Sequence, residues 1–157
     1  MDSDTEFLKE KMAQYRRDIA PLVRYLPWLK EASASAAATY YKGEGMDQEG
    51  SLSFPVYDST LMGFIREASN SPLMDRNYPY VYTRKNIKTA AQERAFIEAA
   101  VYTDWDSLCG ILSRYVLGGR TMARLWSEGV TEQIFFLVID KMSKIVTEWD
   151  PERNARQ

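Results

Sequence analysis

The sequence predicts a mainly α fold, a single-domain bundle of about six helices, on three observations. Apolar residues recur at spacings of three and four over long stretches. Capping and helix-stopping residues punctuate those stretches. Alternating patterns are confined to two short segments, about 52–57 and 78–83, which read as extended or as a short hairpin at most. With 157 residues, 45% hydrophobic and 27% charged, the composition is that of a globular domain and the length suits one. Residues 1–150 read as that helical domain and 151–157 as a frayed polar tail.

The first element runs from about Asp4 to Glu31, with Leu8, Met12, Tyr15, Ile19, Leu22 and Leu26 on one stripe. Pro21 removes a backbone donor, so two helices (about 4–19 and 21–31) or one bent helix are expected. Residues 33–50, rich in Ser and Gly beside a run of Ala, read as an irregular excursion. Leu52, Phe54 and Val56 then alternate as in a short strand, which Pro55 weakens. Asp58-Ser59-Thr60 opens a helix with Leu61, Phe64, Ile65 and Ala68 on one face, closed by Asn70-Ser71-Pro72.

Tyr78, Tyr80 and Tyr82 alternate with Pro79, Val81 and Thr83, which predicts an extended segment, and Pro79 confines it to an edge or a loop. Thr89 with Gln92 three residues on is a capping box, starting a helix that carries Phe96, Ile97, Ala100 and Val101. Thr103-Asp104-Trp105-Asp106 begins the next helix, striped by Trp105, Leu108, Leu112, Tyr115 and Val116. Gly118-Gly119 is expected to stop it with a left-handed cap. A short helix from Thr121 to Glu128 is predicted to end at Gly129. A last helix from about Thr131 to Trp149 carries Ile134, Val138, Met142 and Ile145, with Asp150-Pro151 as its stop.

Function classes are narrowed mainly by what the chain lacks. It has no His and one Cys, which removes His-dependent triads, imidazole metal sites and a disulfide framework. Cys109 lies in an apolar stretch and reads as a core residue. The acidic N-terminus does not resemble a secretory signal. The longest apolar run, Ile134 to Ile139, is far shorter than the roughly 20 residues that span a bilayer, so a cytoplasmic protein without membrane contact is expected. Gly43-Glu44-Gly45 and Gly118-Gly119-Arg120-Thr121 do not match a phosphate-binding loop. Asp47 and Glu49 lack the ligand spacing of a Ca²⁺ loop, and Asp104 and Asp106 read as helix-capping acids. No metal, cofactor or catalytic residue is expected.

The net charge of −2 averages over unlike parts. Residues 76–88 contain Arg76, Arg84, Lys85 and Lys88, no acid, and the three interleaved tyrosines Tyr78, Tyr80 and Tyr82. Tyr and Arg are the usual anchors of protein interfaces, and these residues are the candidate partner-binding set. The same combination also suits nucleic acid, with rings on bases and cations on phosphates. Packing of the tyrosines on the helical core is the plain structural account. Arg114, Arg120 and Arg124 form a second basic set. Arg120 and Arg124, one turn apart at a helix start where cations oppose the dipole, join the candidate list, with an internal salt bridge as the plain account.

The block Trp105-Asp106-Ser107-Leu108-Cys109-Gly110 through Gly118-Gly119-Arg120-Thr121 and Leu125-Trp126-Ser127-Glu128-Gly129 resembles a family of bacterial proteins defined as a domain of unknown function. Arg24-Tyr25-Leu26-Pro27-Trp28-Leu29, Phe54-Pro55-Val56-Tyr57-Asp58 and Met74-Asp75-Arg76-Asn77-Tyr78-Pro79-Tyr80 are similar to members carried on integrative and conjugative elements of gut Firmicutes. The resemblance covers most of residues 22–149 and carries over no catalytic or binding residue. It implies an accessory protein of a mobile element that binds a protein, such as an inhibitor of a host-defence nuclease of the restriction or CRISPR kind. A DNA- or RNA-binding module using residues 76–88 is the alternative, with a small carboxylate-dependent enzyme third. The stripes of the first and last helices also allow self-association.

Overall fold

The computed structural model describes residues 2–32 and 58–148. Within them lie α1 (Asp2–Val23), α2 (described over 26–32), α3 (Ser59–Ser69), α4 (Tyr78–Lys85), α5 (Ala90–Ala99), a 3₁₀ turn (Tyr102–Asp104), α6 (Trp105–Gly118), α7 (Arg124–Thr131) and α8 (Ile134–Glu148). No strand occurs among the described residues. The fold is a mainly α helical bundle, as the spacing of apolar residues predicts. The expected excursion 33–50, the expected extended segment 52–57 and the expected tail 151–157 lie outside the described residues.

Helices α6 and α8 are the centre. α6 packs against α3, α4, α7 and α8, and α8 packs against α1, α5, α6 and α7. Their facing stripes, Leu108, Ile111, Leu112 and Val116 against Phe135, Val138, Ile139 and Met142, are fully buried. An aromatic chain crosses the core. Tyr25 meets Phe64 edge-on at 5.5 Å, Phe64 meets Phe135 at 5.1 Å, and Phe135 meets Tyr115 at 6.1 Å between ring centres. Such tilted pairs are the arrangement the ring quadrupoles favour.

Four local expectations are corrected. Helix α1 continues through Pro21 and breaks at Arg24–Tyr25. Pro27 then falls in the first turn of α2, where no N–H is needed. The predicted extended segment 78–83 is helix α4. Pro79 sits in its first turn, and Asn86 closes it in the left-handed conformation at φ 56°. Gly119 is right-handed, at φ −67°, so it supplies space rather than a left-handed cap. The Trp126 indole lies where a Cβ on Gly119 would be, and its Nε1–H donates to the Val116 carbonyl at 3.0 Å. Gly129 likewise lies inside α7, beneath the Phe135 ring, and the turn to α8 is made at Gln133 with φ 68°.

The capping box of α5 is present as predicted. The Thr89 hydroxyl accepts from Gln92 N–H at 3.1 Å, and the Gln92 side chain accepts from Thr89 N–H at 3.0 Å. It satisfies two backbone N–H groups at the start of α5, the turn that carries Glu93.

Candidate functional site

Helix α4 has two faces, and they divide the tyrosines. Val81 is the buried anchor. It packs on Gly110 of α6 so closely that a Cβ at 110 would lie 2.6 Å from Val81 Cγ2. Tyr78 and Tyr82, four residues apart, share one side of the helix and line an open cleft of about 640 Å³. Tyr80 and Arg84, also four apart, share another. Tyr80 is 55% exposed, with the Arg84 guanidinium 5.6 Å above its ring.

The candidate partner-binding residues are therefore not one set. Arg76, Tyr80, Arg84 and Lys88 are exposed, and none of these cations forms an ion pair with a described residue. Lys85 is half-buried and covers the Phe96 ring at 5.8 Å. Tyr78 is half-buried and reaches towards Gly118 at the end of α6. Tyr82 turns inward. The second basic set divides too: Arg120 is exposed without an ion pair among the described residues, Arg124 meets Glu128 at 3.8 Å on the surface, and Arg114 enters a buried cluster.

That cluster centres on Glu93, which is 2% exposed and was not singled out by the sequence. The signal was present: Glu93 stands four residues before Ile97 and seven before Ala100, on the apolar stripe of α5. Tyr82 Oη donates to Glu93 Oε2 at 2.5 Å, Tyr115 Oη donates to Oε1 at 2.5 Å, and Arg114 Nη1 donates to Oε2 at 3.3 Å. The Arg114 guanidinium also stands 5.5 Å and 4.9 Å from the ring centres of Tyr82 and Tyr115. A buried carboxylate is tolerated when charge-assisted donors surround it, and here they come from α4 and α6.

Burial, and after it the charge of Glu93 and the hydrogen bond to it, pushes the phenols of Tyr82 and Tyr115 well above their ordinary value. Burial works against the charge on Arg114, but Tyr115, Tyr82 and Glu93 outweigh it and raise its value. Away from this cluster, between α1 and the start of α6, Tyr15 stacks flat on Trp105 at 4.0 Å, and burial, then Asp106, pushes its phenol up to about 12. Burial holds the Cys109 thiol protonated, pushing its value up.

A pH dependence follows. Unfolded tyrosines ionise near about 10, and these three hold their protons to higher pH when folded. Their contribution is fully present below about pH 10 and is lost as pH rises through the folded values. The melting temperature is expected to fall above pH 10, and phenolate absorbance should show a delayed fraction among the ten tyrosines. A single titration step near 10, with the fold intact, contradicts this.

No group of three or more metal-ligating side chains occurs among the described residues, and no described helix is long and apolar enough to cross a membrane. No family model, curated protein or solved structure matches the chain.

Proposed function

We propose that this chain is a non-enzymatic, cytoplasmic protein-binding module whose contact surface is the outward face of α4. One observation carries the reading. Tyr80 and Arg84 form an exposed aromatic–cation pair on a helix without an acidic residue, flanked by Arg76 and Lys88, which have no ion-pair partner among the described residues. An amphipathic ring beside spare guanidinium donors is the chemistry of an interface anchor, and the charge selects an acidic partner surface.

Two further points weigh in the same direction. A platform for single-stranded nucleic acid needs several free rings. Two of the three tyrosines of α4 face the cleft instead, one of them hydrogen-bonded to Glu93. A carboxylate acting in catalysis needs an oxygen open to substrate, whereas both oxygens of Glu93 already accept hydrogen bonds. We further propose, on the resemblance read in most of residues 22–149, that the partner is a host-defence nuclease met by a mobile element and blocked by occupancy.

The test is affinity capture from a host lysate with the wild-type chain and with a Tyr80→Ala, Arg84→Ala double variant. The wild type should recover an acidic protein that elutes with added salt. The variant should bind it about thirtyfold more weakly, the effect of removing about 2 kcal/mol of anchor energy. Recovery of the same proteins by both forms overturns the assignment.

A further inference from the structure

The cleft behind α4 is separate from the outward face, and its charges are unevenly satisfied. Its floor is the Glu93–Tyr82–Tyr115–Arg114 cluster, and Tyr78, Pro79 and Ile87 form an apolar wall. The acids at its rim are paired: Glu132 holds Arg94 at 2.6 Å and Glu128 meets Arg124 at 3.8 Å. Its two cations are only partly engaged, since Arg114 is ion-paired with Glu93 on the floor at 3.3 Å. Lys88 has no ion pair among the described residues. Arg114 carries five N–H donors and engages Glu93 and the Tyr115 hydroxyl, which leaves donors over on a side chain that is 35% exposed and lines the cleft. The volume of about 640 Å³ suits a small organic molecule.

We propose that this cleft binds a small aromatic anion, its carboxylate or phosphate on Arg114 and Lys88 and its ring against Tyr78, Pro79 and Ile87. Guanidinium and ammonium groups recognise the anionic group, and the apolar wall selects a flat neighbour. A cationic ligand is disfavoured, because the rim acids already hold arginines and Glu93 is covered by its three donors. The site does not depend on the protein-binding reading, since Tyr80 and Arg84 are not among its lining residues.

Titration of the full chain with phenyl phosphate, inorganic phosphate and benzyl alcohol, followed by backbone amide shifts, tests this. Phenyl phosphate should give saturable shifts at residues 78–93 and 110–116, with affinity about tenfold above either of the other probes, a difference of about 1.4 kcal/mol. Lys88→Gln changes an exposed side chain, so it should leave the melting temperature unchanged and weaken phenyl phosphate severalfold. Tyr80→Ala should leave the affinity unchanged. The proposal is overturned by absence of saturation at about 10 mM, by equal binding of benzyl alcohol, or by full affinity in Lys88→Gln.

Discussion

Glu93→Ala is expected to lower the melting temperature by about 10 °C, corresponding to about 3 kcal/mol for a chain of this size. The substitution strips two phenol hydroxyls of their acceptor and leaves Arg114 facing a void. Each buried donor left unpaired costs about 1–3 kcal/mol, with Arg114 adding less because water reaches part of it. Glu93→Gln keeps one acceptor oxygen but turns an N–H₂ towards a hydroxyl and loses the charge, so a smaller fall is expected. The cluster acts as a unit, and Tyr82→Phe combined with Tyr115→Phe should remove much of the penalty of Glu93→Ala. Thermal melting followed by circular dichroism decides it. A shift for Glu93→Ala within about 2 °C would show that the carboxylate is not the pin between α4, α5 and α6.

The second large effect is expected at Gly110. In an exposed helix a change from Gly to Ala stabilises by about 0.5–1 kcal/mol. Here the sign reverses, because a Cβ falls 2.6 Å from Val81 Cγ2 and 3.0 Å from Val81 Cβ. Gly110→Val adds two further carbons to that overlap and should cost about 3 kcal/mol by lifting α4 from α6. The partner binding proposed for α4 should be lost although none of its proposed contact residues is altered, and amide exchange in residues 78–85 should speed up while the centre of α8 stays protected. Unchanged binding and melting in Gly110→Val would mean that α4 is not held through Val81.

The parts of the fold legible in the sequence are those where one physical rule acts alone. The stripe Leu61, Phe64, Ile65 and Ala68 buries as its spacing demands, and Thr89 with Gln92 makes the predicted capping box. The misreadings arise where two rules compete. Alternating tyrosines suggest a strand, yet Pro79 at the start and Asn86 at the end are helix signals, and burial of Val81 on α6 decides for them. Gly118, Gly119 and Gly129 read as helix stops, whereas the structure uses them as room for Leu125, Trp126 and Phe135.

The candidate site was half legible for a similar reason. The basic, tyrosine-rich segment stands out in composition, but which of its residues face outward depends on the helical period. Glu93 escaped because a charged residue on an apolar stripe reads as a break in it. Its partners Tyr82, Arg114 and Tyr115 lie 11, 21 and 22 residues away, so no local pattern announces them.

The division of α4 into two faces also sets how freely the molecule can be rewritten. Tyr78 and Tyr82 answer to the interior, so changing them disturbs the cleft and the Glu93 pin. Arg76 and Arg84 hold no ion pair among the described residues and Tyr80 is exposed, so exchanging the three should shift stability by about 0.5 kcal/mol or less. One short helix thus combines a conservative inner grammar with an outer text open to revision. A new specificity can be written at positions 76, 80 and 84 without renegotiating the fold that presents them.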